Sequence, residues 1–430
     1  MSGLQSQKRD VIWLLGWVVL PYASYLGLVI LAVAFATALR WRGKQIWQLC
    51  GQRGFGWLTA GLLLSSSAAV TNRGDAFLQL TNFLPFFLFF GVLALEPAVV
   101  KQPFAKLETI ARTLLLTSTP LTSLAIVQYL LKTDVILDYA TQRQVFPRWL
   151  MRQIYGGAID RADVFFSNSN TLSAYLLMLF GLGLGLLIKR WIAPQGRTKS
   201  VASQAAGRFH QFEIVATLLC GGAIFSTGSR MGLAIALLLL AVALYQVRSH
   251  RWVLITGVLC GGALILAAAT LSIGERTFSL AMVQSDVRGP LWELAVDLFR
   301  QRPWLGWGLG GLRSQYVSGS ISGYEQLAHA HNIWLFLASE TGIPVMVGFS
   351  VVIGKIYYDG VAAWMRQKYS PAHQAVLLGY LLAFTSCILY GLIDVVLFDS
   401  RVNVLSWSVL AAVYVLSRAP SKPVGFDERS

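Results

Sequence analysis

Charged residues are scarce in this chain of 430 residues: they make up 13% of it, whereas hydrophobic residues make up 55%. A soluble domain carries about 25% charged residues, and this much apolar surface could not all be buried in a water-exposed globule. The scarcity argues against a soluble enzyme, and the hydrophobic content excludes a disordered tail. The remaining class is a polytopic membrane protein.

Acidic residues are especially few, since 20 Asp and Glu stand against 35 Lys and Arg, which gives a net charge of +15. A basic balance of this size suits nucleic-acid binding, but the long apolar runs of the chain do not. We therefore expect no nucleic-acid partner. In a membrane protein, Lys and Arg instead report orientation, because they are concentrated in cytoplasmic loops.

The few cysteines do not indicate a metal site or a disulfide framework. Three of the four, Cys220, Cys260 and Cys387, fall in apolar segments, and Cys50 falls in a basic stretch. No pair has the spacing of metal ligands, and none lies in a segment predicted to face the oxidising side of a membrane. We predict no metal and no cofactor. The sequence also lacks an internal repeat strong enough to indicate an inverted-repeat transporter.

Apolar segments long enough to approach the roughly 20 residues of a transmembrane helix recur along the whole chain. They fall at about 11–39, 55–71, 76–95, 110–131, 165–188, 211–228, 230–247, 252–273, 343–365, 375–396 and 402–418. The first is too long for one straight helix and contains Pro21. Its flanks are basic, at Lys8 and Arg9 before it and at Arg40 and Arg42 after it. Both flanks can be cytoplasmic only if the segment is a hairpin that breaks near Pro21, which makes about 12 spans with both termini in the cytoplasm.

Two long segments between spans, 132–164 and 274–342, fall on the outer side of the membrane in this topology. We predict that residues 1–430 form a single all-α membrane domain of about 12 transmembrane helices with a long, partly helical outer loop. Both outer segments contain several arginines, against the tendency of basic residues to stay inside. These arginines indicate either an anion-binding site on the outer face or a solvated loop whose charges nearby Asp and Glu balance.

Two histidines, His329 and His331, lie in the second outer segment, where the polar loop gives way to an apolar helix. A histidine near the bilayer and yet in contact with water suits a general base working near neutral pH. The alternative is a polar cap at the N-terminus of the helix. The spacing of the two histidines is compatible with metal ligation, but the sequence offers no evident third ligand.

Arg230 falls between two apolar segments that are separated by almost no loop. An arginine at membrane depth is expensive and often marks a functional site, and its guanidinium fits phosphate oxygens in pairs. The alternative is a side chain that snorkels to the membrane interface.

Arg288 begins a segment in which apolar residues follow helical spacing, namely Leu291, Leu294, Ala295 and Leu298. Pro290 suits the first turn of a helix, so residues 288–300 are predicted to form an amphipathic helix on the outer membrane surface. The glycine-rich run that follows, 304–311, has no strand–helix unit around it. It is expected to be a tight turn that allows close backbone approach, not a dinucleotide site.

Polar residues also stand at two further span ends. Asn168 and Asn170 precede a span, where helix capping is the expected role. Asp394, Asp399 and Arg401 cluster near the outer end of the last hairpin, where a structural ion pair is the expected arrangement.

Taken together, these segments resemble the O-antigen ligase and Wzy-type polysaccharide polymerase superfamily, whose members are polytopic membrane proteins with a large outer loop late in the chain. Residues 167–176 are similar to the family's Asn-Pro-Asn span start, with Ser169 in place of the proline. Residues 226–232 resemble its Ser-Arg-Gly element, with Met231 intervening. Residues 288–310 resemble its Arg-x-x-Leu-Trp helix with the Pro-x-x-Gly-x-Gly ending, and residues 329–332 resemble its His-Asn element. The order, spacing and common side of these motifs make the set specific.

The resemblance implies a glycosyltransferase at the outer, periplasmic face of a bacterial inner membrane. The donor would be a glycan on undecaprenyl diphosphate, and the acceptor a hydroxyl of another glycan, of the lipid A core or of a protein. Carried over by residue, Arg230 and Arg288 would bind the diphosphate, and His331 would take a proton from the acceptor hydroxyl, which attacks the anomeric carbon with inversion. His329, as an alternative base, and Asn170 are supporting candidates. The implied reaction requires no metal or nucleotide.

Two other functions stay open. The superfamily also includes proteins once proposed to carry bicarbonate, so a membrane transporter is the main alternative, and a shared fold does not separate the two. A transporter would place ionisable groups along a path inside the membrane, whereas the candidate residues here collect at one face. A non-enzymatic scaffold is the third hypothesis. The sequence also does not separate a ligase from a polymerase.

Overall fold

The computed structural model describes residues 3–70, 72–131, 161–192, 201–270, 288–321, 327 and 329–420. Within these residues the regular elements are helices, which confirms the predicted all-α class. In chain order they are α1 (Gly3–Val19), α2 (Ser24–Gln52), α3 (Phe55–Ser67), α4 (Arg73–Gln79), α5 (Leu84–Ala94), α6 (Pro97–Lys101), α7 (Pro103–Thr117), α8 (Thr119–Leu131), α9 (Ser169–Ile192), α10 (Val201–Ser226), α11 (Arg230–Gln246), α12 (Arg251–Thr270), α13 (Arg288–Gln301), α14 (Gly311–Gln315), α15 (Ile333–Thr341), α16 (Ile343–Met365), α17 (Pro371–Gly391) and α18 (Ser400–Arg418).

Seven helical segments of the described residues are long and apolar enough to cross a membrane. They are α2, α4 with α5, α7 with α8, α9, α16, α17 and α18. Three shorter apolar helical stretches accompany them, at Gln211–Ser226, Arg230–Gln246 and Arg251–Ala267. The chain is therefore a multi-pass membrane protein. The total of about 12 spans stays a prediction.

The N-terminal apolar segment breaks at the predicted place. Helix α1 ends at Val19 and α2 begins at Ser24, so the chain turns at Pro21. The two helices pack closely there, because a Cβ on Gly27 would lie 2.5 Å from the Cα of Leu20. Helix α2 continues beyond the predicted end of the apolar segment and reaches Gln52. Arg42, one of the basic residues that follow the apolar run, has non-helical φ and ψ angles of −134° and 16°, so α2 is kinked there before it continues to Gln52.

Helix α9 occupies the centre of the bundle, and almost all of its residues are buried. It packs against α17 through small residues: a Cβ on Gly181 would lie 2.6 Å from the nitrogen of Ala383, and one on Gly185 would lie 2.4 Å from the Cα of Gly379. Glycines at such contacts allow the backbones of two membrane helices to approach closely. Continuing the same antiparallel register towards the start of α9 brings Asn170 opposite Asp394.

The described part of the second predicted outer loop contains the expected amphipathic helix, α13. Its apolar face buries Leu291, Ala295 and Leu298, while Leu294 is half-buried. The indole nitrogen of Trp307 donates a hydrogen bond to the carbonyl of Leu298 at 2.9 Å, which fixes the end of α13 to the following turn. The predicted loops 132–164 and 274–342 lie partly outside the described residues, and the side of the membrane that they face stays a prediction.

The glycine-rich run forms the expected tight turn. Gly306, Gly308 and Gly310 have positive φ angles of 64°, 88° and 84°, a region that glycine adopts without steric cost. A Cβ on Gly306 would lie 2.3 Å from the carbonyl carbon of Glu340. The buried Glu340 carboxylate accepts hydrogen bonds from the backbone N–H groups of Gly310 at 2.7 Å and Leu312 at 3.2 Å. Burial raises the pKa of Glu340 to about 8, although these two hydrogen bonds oppose the shift.

Candidate active site

The His-Asn element stands at the start of α15, and Asn332 is the residue that caps this helix. Its side-chain oxygen accepts hydrogen bonds from the backbone N–H groups of Trp334 and Leu335, at 2.9 and 3.0 Å. Its amide nitrogen donates to the carbonyl of Leu392 at 2.9 Å, which ties α15 to the end of α17. Because Asn332 satisfies the helix terminus, the side chain of His331 is not used as its cap.

His331 adopts a backbone conformation that is uncommon for residues other than glycine. Its φ angle is +49°, in the left-handed region that residues other than glycine seldom occupy. Such strain persists only where the surroundings enforce it, and it concentrates at functional sites. Here the imidazole Nδ1 lies 2.9 Å from Oδ1 of Asp394. The local strain therefore accompanies a specific contact between two side chains that are far apart in the sequence.

Asp394 is buried and fixed on both of its oxygens. Oδ1 also accepts a hydrogen bond from the N–H of Val395 at 2.8 Å, and Oδ2 accepts one from the amide nitrogen of Asn170 at 3.1 Å. Burial by itself would raise the pKa of Asp394, but the hydrogen bond and charge of His331, with the charge of His329, outweigh it and hold the pKa below its usual value. An ionised carboxylate can only accept, so Nδ1 of His331 carries the proton and Nε2 is the basic nitrogen.

Asn170 links Asp394 to an arginine. The guanidinium of Arg161 donates to the side-chain oxygen of Asn170 at 2.7 Å, and its Nε donates to the carbonyl of Thr227 at 2.8 Å. Four side chains thus form one hydrogen-bonded chain, Arg161–Asn170–Asp394–His331. Asn168 makes the capping contact that the sequence predicts, since its side-chain oxygen accepts from the N–H of Thr171 at 2.8 Å. Asn170 does not cap the helix in this way but positions the carboxylate.

The Ser-Arg element lies beside this chain. Ser229 caps α11 by accepting from the N–H of Gly232 at 3.1 Å, and its hydroxyl lies 3.0 Å from the hydroxyl of Tyr390. Gly228, with a φ angle of +61°, packs against Arg161, whose side chain would lie 2.9 Å from a Cβ at that position. Residues 226–229 therefore contact the arginine end of the four-residue chain.

Arg230 and Arg288, the predicted diphosphate ligands, occupy equivalent places in two helices. Each is half-buried, and each is the first residue of its helix, α11 and α13 respectively. The N-terminus of a helix favours an anion, so a cation there is better accommodated when an anion binds beside it. Their convergence on His331 stays a prediction, whereas the element that precedes Arg230 does contact Arg161.

His329 is held next to the same carboxylate. Its Nε2 lies 4.0 Å from Oδ1 of Asp394, its Nδ1 accepts a hydrogen bond from the backbone N–H of His331 at 3.3 Å, and its ring stacks on Phe398 at 5.6 Å. Burial and the neighbouring charge of His331 lower the pKa of His329 to about 4, although Asp394 opposes the shift. The ring is therefore neutral at pH 7.

Asp394 also supplies the third group that the sequence lacked for a metal site. The ligating atoms of His329, His331 and Asp394 all lie within 4.8 Å of one another. However, the contact of 2.9 Å between His331 and Asp394 is a hydrogen-bond distance and is shorter than the roughly 3.3 Å between two ligands of a tetrahedral zinc ion. The arrangement fits a hydrogen-bonded His–Asp dyad better than a metal centre.

A polar cavity of about 310 Å³ opens onto this dyad. Its lining includes Arg161, Asp163, Asn170, His331 and Asp394. We call it the dyad cavity. It has the size of a small ligand site and the few convergent polar groups that such sites require.

Two residues of this site were not assigned a function from the sequence. The ion pair expected among Asp394, Asp399 and Arg401 forms between Asp399 and Arg401 at 3.9 Å, whereas Asp394 binds His331. Arg161 was one of several outward arginines with no individual role. The only local signal for Asp394 is its position just after an apolar span, and the partner that gives it a role is far away in the sequence.

These features define a class of protein: a multi-pass helical membrane protein with a His–Asp dyad in a polar cavity at one end of its bundle. Residues 215–350 match the family model described as O-antigen ligase, and this match confirms the predicted relationship to the O-antigen ligase and Wzy-type family over that part of the chain. The matched region contains Arg230, Arg288 and His331, whereas Arg161, Asn170 and Asp394 lie outside it. No curated protein matches the chain.

Proposed function

We propose that this protein is a membrane glycosyltransferase that moves a glycan from undecaprenyl diphosphate to an acceptor hydroxyl. The observation that carries the proposal is the contact of 2.9 Å between Nδ1 of His331 and the carboxylate of Asp394. A buried carboxylate that fixes the tautomer of an imidazole is the arrangement by which enzymes prepare a histidine as a general base. The O-antigen ligase match over residues 215–350 supplies the reaction class.

In the proposed reaction, Nε2 of His331 takes the proton of the acceptor hydroxyl as the acceptor oxygen attacks the anomeric carbon of the donor. A new C–O bond forms on one face of the sugar, and the C–O bond to the diphosphate breaks on the other, so the configuration inverts. The bonding pair leaves with the lipid diphosphate. Asp394 stabilises the imidazolium that forms and does not itself accept the proton.

The charge that develops on the diphosphate needs cationic donors. We assign this role to Arg230 and Arg288, because a guanidinium offers paired donors to phosphate oxygens and because the helix N-termini where they stand favour an anion. Arg161 adds a third guanidinium, inside the dyad cavity itself. In this proposal the three guanidinium groups together stabilise the charge of the leaving diphosphate, and the reaction requires no metal or cofactor.

We also propose that the dyad lies at the periplasmic face of a bacterial inner membrane and that both termini are cytoplasmic. The support is the distribution of basic residues in the sequence, since Lys and Arg crowd the stretches that this topology places inside. The dyad end of α9 then faces outwards, and its other end, with Lys189 and Arg190 in the last turn, faces inwards.

The deciding experiment uses the full-length protein in lipid nanodiscs, a fluorescent lipid-linked glycan and an envelope extract as the source of acceptors. We expect His331→Ala to lower transfer by about 10³-fold or more, because a positioned general base contributes about 10²–10⁴ in rate. His250→Ala is the matched control, since His250 lies at the other end of α11 and contacts Trp191.

Transfer by His331→Ala at the rate of the parent protein would contradict the proposal. Unchanged surface polysaccharide in cells carrying this variant, together with altered solute uptake, would favour the transporter. Unchanged glycan length and attachment in Arg230→Ala and Arg288→Ala would favour the scaffold.

A further inference from the structure

A second, larger cavity lies against the dyad cavity. Its volume is about 680 Å³, and it extends from the start of α2 and from α4 to the segment between α17 and α18. The two cavities share Ser167, Asn168, His329 and Asp394 in their linings. The two cavities therefore adjoin at His329 and Asp394, and His331 lines the dyad cavity.

The larger cavity is lined by groups that suit hydroxyls. It presents the amides of Gln79 and Asn82 and the carboxylates of Asp75 and Asp399, together with the aromatic rings of Tyr25 and Phe398. Amides and carboxylates donate to and accept from hydroxyl groups, and aromatic rings cover the apolar faces of a ligand. A hydrocarbon chain would displace water from these polar groups and offer them no hydrogen bonds in return, which is costly. The lining therefore fits a hydroxyl-rich ligand.

Carboxylates outnumber arginines in the lining of the larger cavity, since Asp75, Asp394 and Asp399 stand against Arg313 and Arg401. Arg401 is already engaged, because its guanidinium donates to the carbonyl of Phe165, lies 4.4 Å from the ring of Phe166 and approaches Asp399 at 3.9 Å. The carboxylates of Asp75 and Asp399 would repel a second anion. The dyad cavity contains Arg161 with the carboxylates of Asp163 and Asp394, and Arg161 contacts the Ser-Arg element through the carbonyl of Thr227. Because Arg230, the proposed diphosphate ligand, belongs to this element, we assign the diphosphate of a lipid-linked donor to the dyad side.

One wall of the larger cavity is rigidly built. The side chains of Asp75 and Gln79 hydrogen-bond to each other at 3.4 Å, and the glycine-rich turn packs directly on them, since a Cβ on Gly310 would lie 2.6 Å from the amide nitrogen of Gln79. Glu340 in turn fixes this turn through the N–H of Gly310. Rigid support of this kind preorganises polar groups for a ligand.

We propose that the larger cavity is the subsite for the acceptor glycan. This assignment rests on the proposed function, which requires a second substrate to bring its hydroxyl to Nε2 of His331. The acceptor glycan then lies in the larger cavity and extends its attacking hydroxyl past His329 to His331 in the dyad cavity, where the donor diphosphate lies beside Arg161. The partner chemistry is that of a hydroxyl-rich oligosaccharide, whichever lipid or protein carries it.

The first test places a bulky label in the cavity. Ser24 lies in its lining, whereas Ser320 is exposed and lies outside both cavities. The native cysteines are buried or half-buried, so the unsubstituted protein gives the background. Ser24→Cys and Ser320→Cys are each treated with a membrane-impermeant, bulky maleimide. Transfer to an envelope extract and equilibrium binding of the lipid-linked donor are then measured.

We expect the label at Ser24→Cys to lower transfer about tenfold or more while donor affinity changes less than about twofold, and the label at Ser320→Cys to change neither. Unchanged transfer by the labelled Ser24→Cys protein would overturn the assignment. An equal loss of donor binding would also overturn it, because the donor would then occupy the larger cavity. A protein that transfers nothing before labelling contradicts the proposed function itself, and the two failures are thus distinguishable.

The second test removes single hydrogen-bonding groups. We expect Gln79→Ala and Asn82→Ala each to raise the acceptor KM by about three- to tenfold, the worth of one hydrogen bond, with kcat and the donor KM unchanged. A rise in the donor KM with the acceptor KM unchanged would reverse the assignment of the two cavities.

Discussion

Two polar clusters lie at opposite ends of the central helix α9, and they are built differently. The dyad end joins Arg161, Asn170, Asp394 and His331 in one hydrogen-bonded chain. The far end joins Glu108 and Arg112 of α7, Lys189 of α9 and Glu213 of α10. Between Asn170 and Lys189, α9 contains no Asp, Glu, Lys, Arg or His. The two clusters are therefore separated along this helix by apolar and small residues.

The far cluster is a set of ion pairs. Arg112 contacts Glu213 at 2.5 Å and Glu108 at 3.0 Å, and Lys189 contacts Glu108 at 2.6 Å. Two cations thus meet two carboxylates, and the pairing ties α7, α9 and α10 together. Buried charges are tolerated when they are paired in this way, so this cluster is explained by the stability of the bundle.

The dyad cluster has features that stability does not explain. It contains a histidine with a positive φ angle, a carboxylate that fixes the tautomer of that histidine, and a cavity into which the group opens. Burial and charge alone would not separate the two clusters, since both contain buried carboxylates. Backbone strain, a titratable imidazole and access to a cavity distinguish a site from a structural network.

Among the substitutions that separate the dyad cluster from the far cluster, we expect the largest effect on transfer from Asp394→Asn. The amide has the shape of the carboxylate but no longer fixes the proton on Nδ1 of His331, so we expect kcat for transfer to fall about 10³-fold while the donor KM and the melting temperature change little. Asp359→Asn is the control, because Asp359 pairs with Arg418 outside the site. Retention of more than about a tenth of the parent kcat by Asp394→Asn would contradict the role of the dyad.

The second-largest effect is expected at the far cluster, where a substitution should lower the stability of the bundle and not its activity. Arg112→Met leaves Glu213 buried without its nearest cation, so we expect the free energy of unfolding to fall by about 3 kcal/mol, with transfer per folded molecule unchanged within about twofold. Chemical unfolding in detergent and activity in nanodiscs give the two measurements.

Arg418→Met is the control for this change. Arg418 forms a more exposed pair with Asp359, and loss of an exposed ion pair should cost less than about 1 kcal/mol. If Arg112→Met instead abolished activity without loss of stability, the two clusters would belong to one functional path, as a transporter requires.

The sequence predicted the local parts of this structure well because their signals are local. The apolar run at 343–365 coincides with α16 (Ile343–Met365), and the break at Pro21 is present. The run at 110–131 lies within one candidate span, Pro103–Leu131, as expected, and within that span a break at Ser118 separates α7 from α8. Pro120 follows this break, and its ring fits the first turn of a helix and not its interior.

The site was only partly predictable because its residues are far apart in the sequence. His331 and Asn170 stand in short motifs, so they were candidates from the sequence. Asp394 lies 63 residues from His331 and 224 residues from Asn170, and no local pattern signals such a contact. The contact follows from the close packing of α9 on α17 at Gly181 and Gly185, which only the folded bundle displays.

The smallest effects are expected for Asn170 and Asn168, to which the sequence assigned the same role of helix capping. Asn170→Ala removes the donor to Oδ2 of Asp394 and the acceptor for Arg161, so we expect kcat for transfer to fall about tenfold, the cost of one hydrogen bond to a charged group.

Asn168→Ala removes the cap of α9 and should lower the free energy of unfolding by about 1 kcal/mol. Because Asn168 lines both cavities but does not contact Asp394 or His331 through a hydrogen bond of its side chain, we expect kcat for transfer to change less than about twofold. If both variants changed kcat equally, Asn170 would act only through the helix terminus, and the dyad end of α9 would be a structural network like the far end.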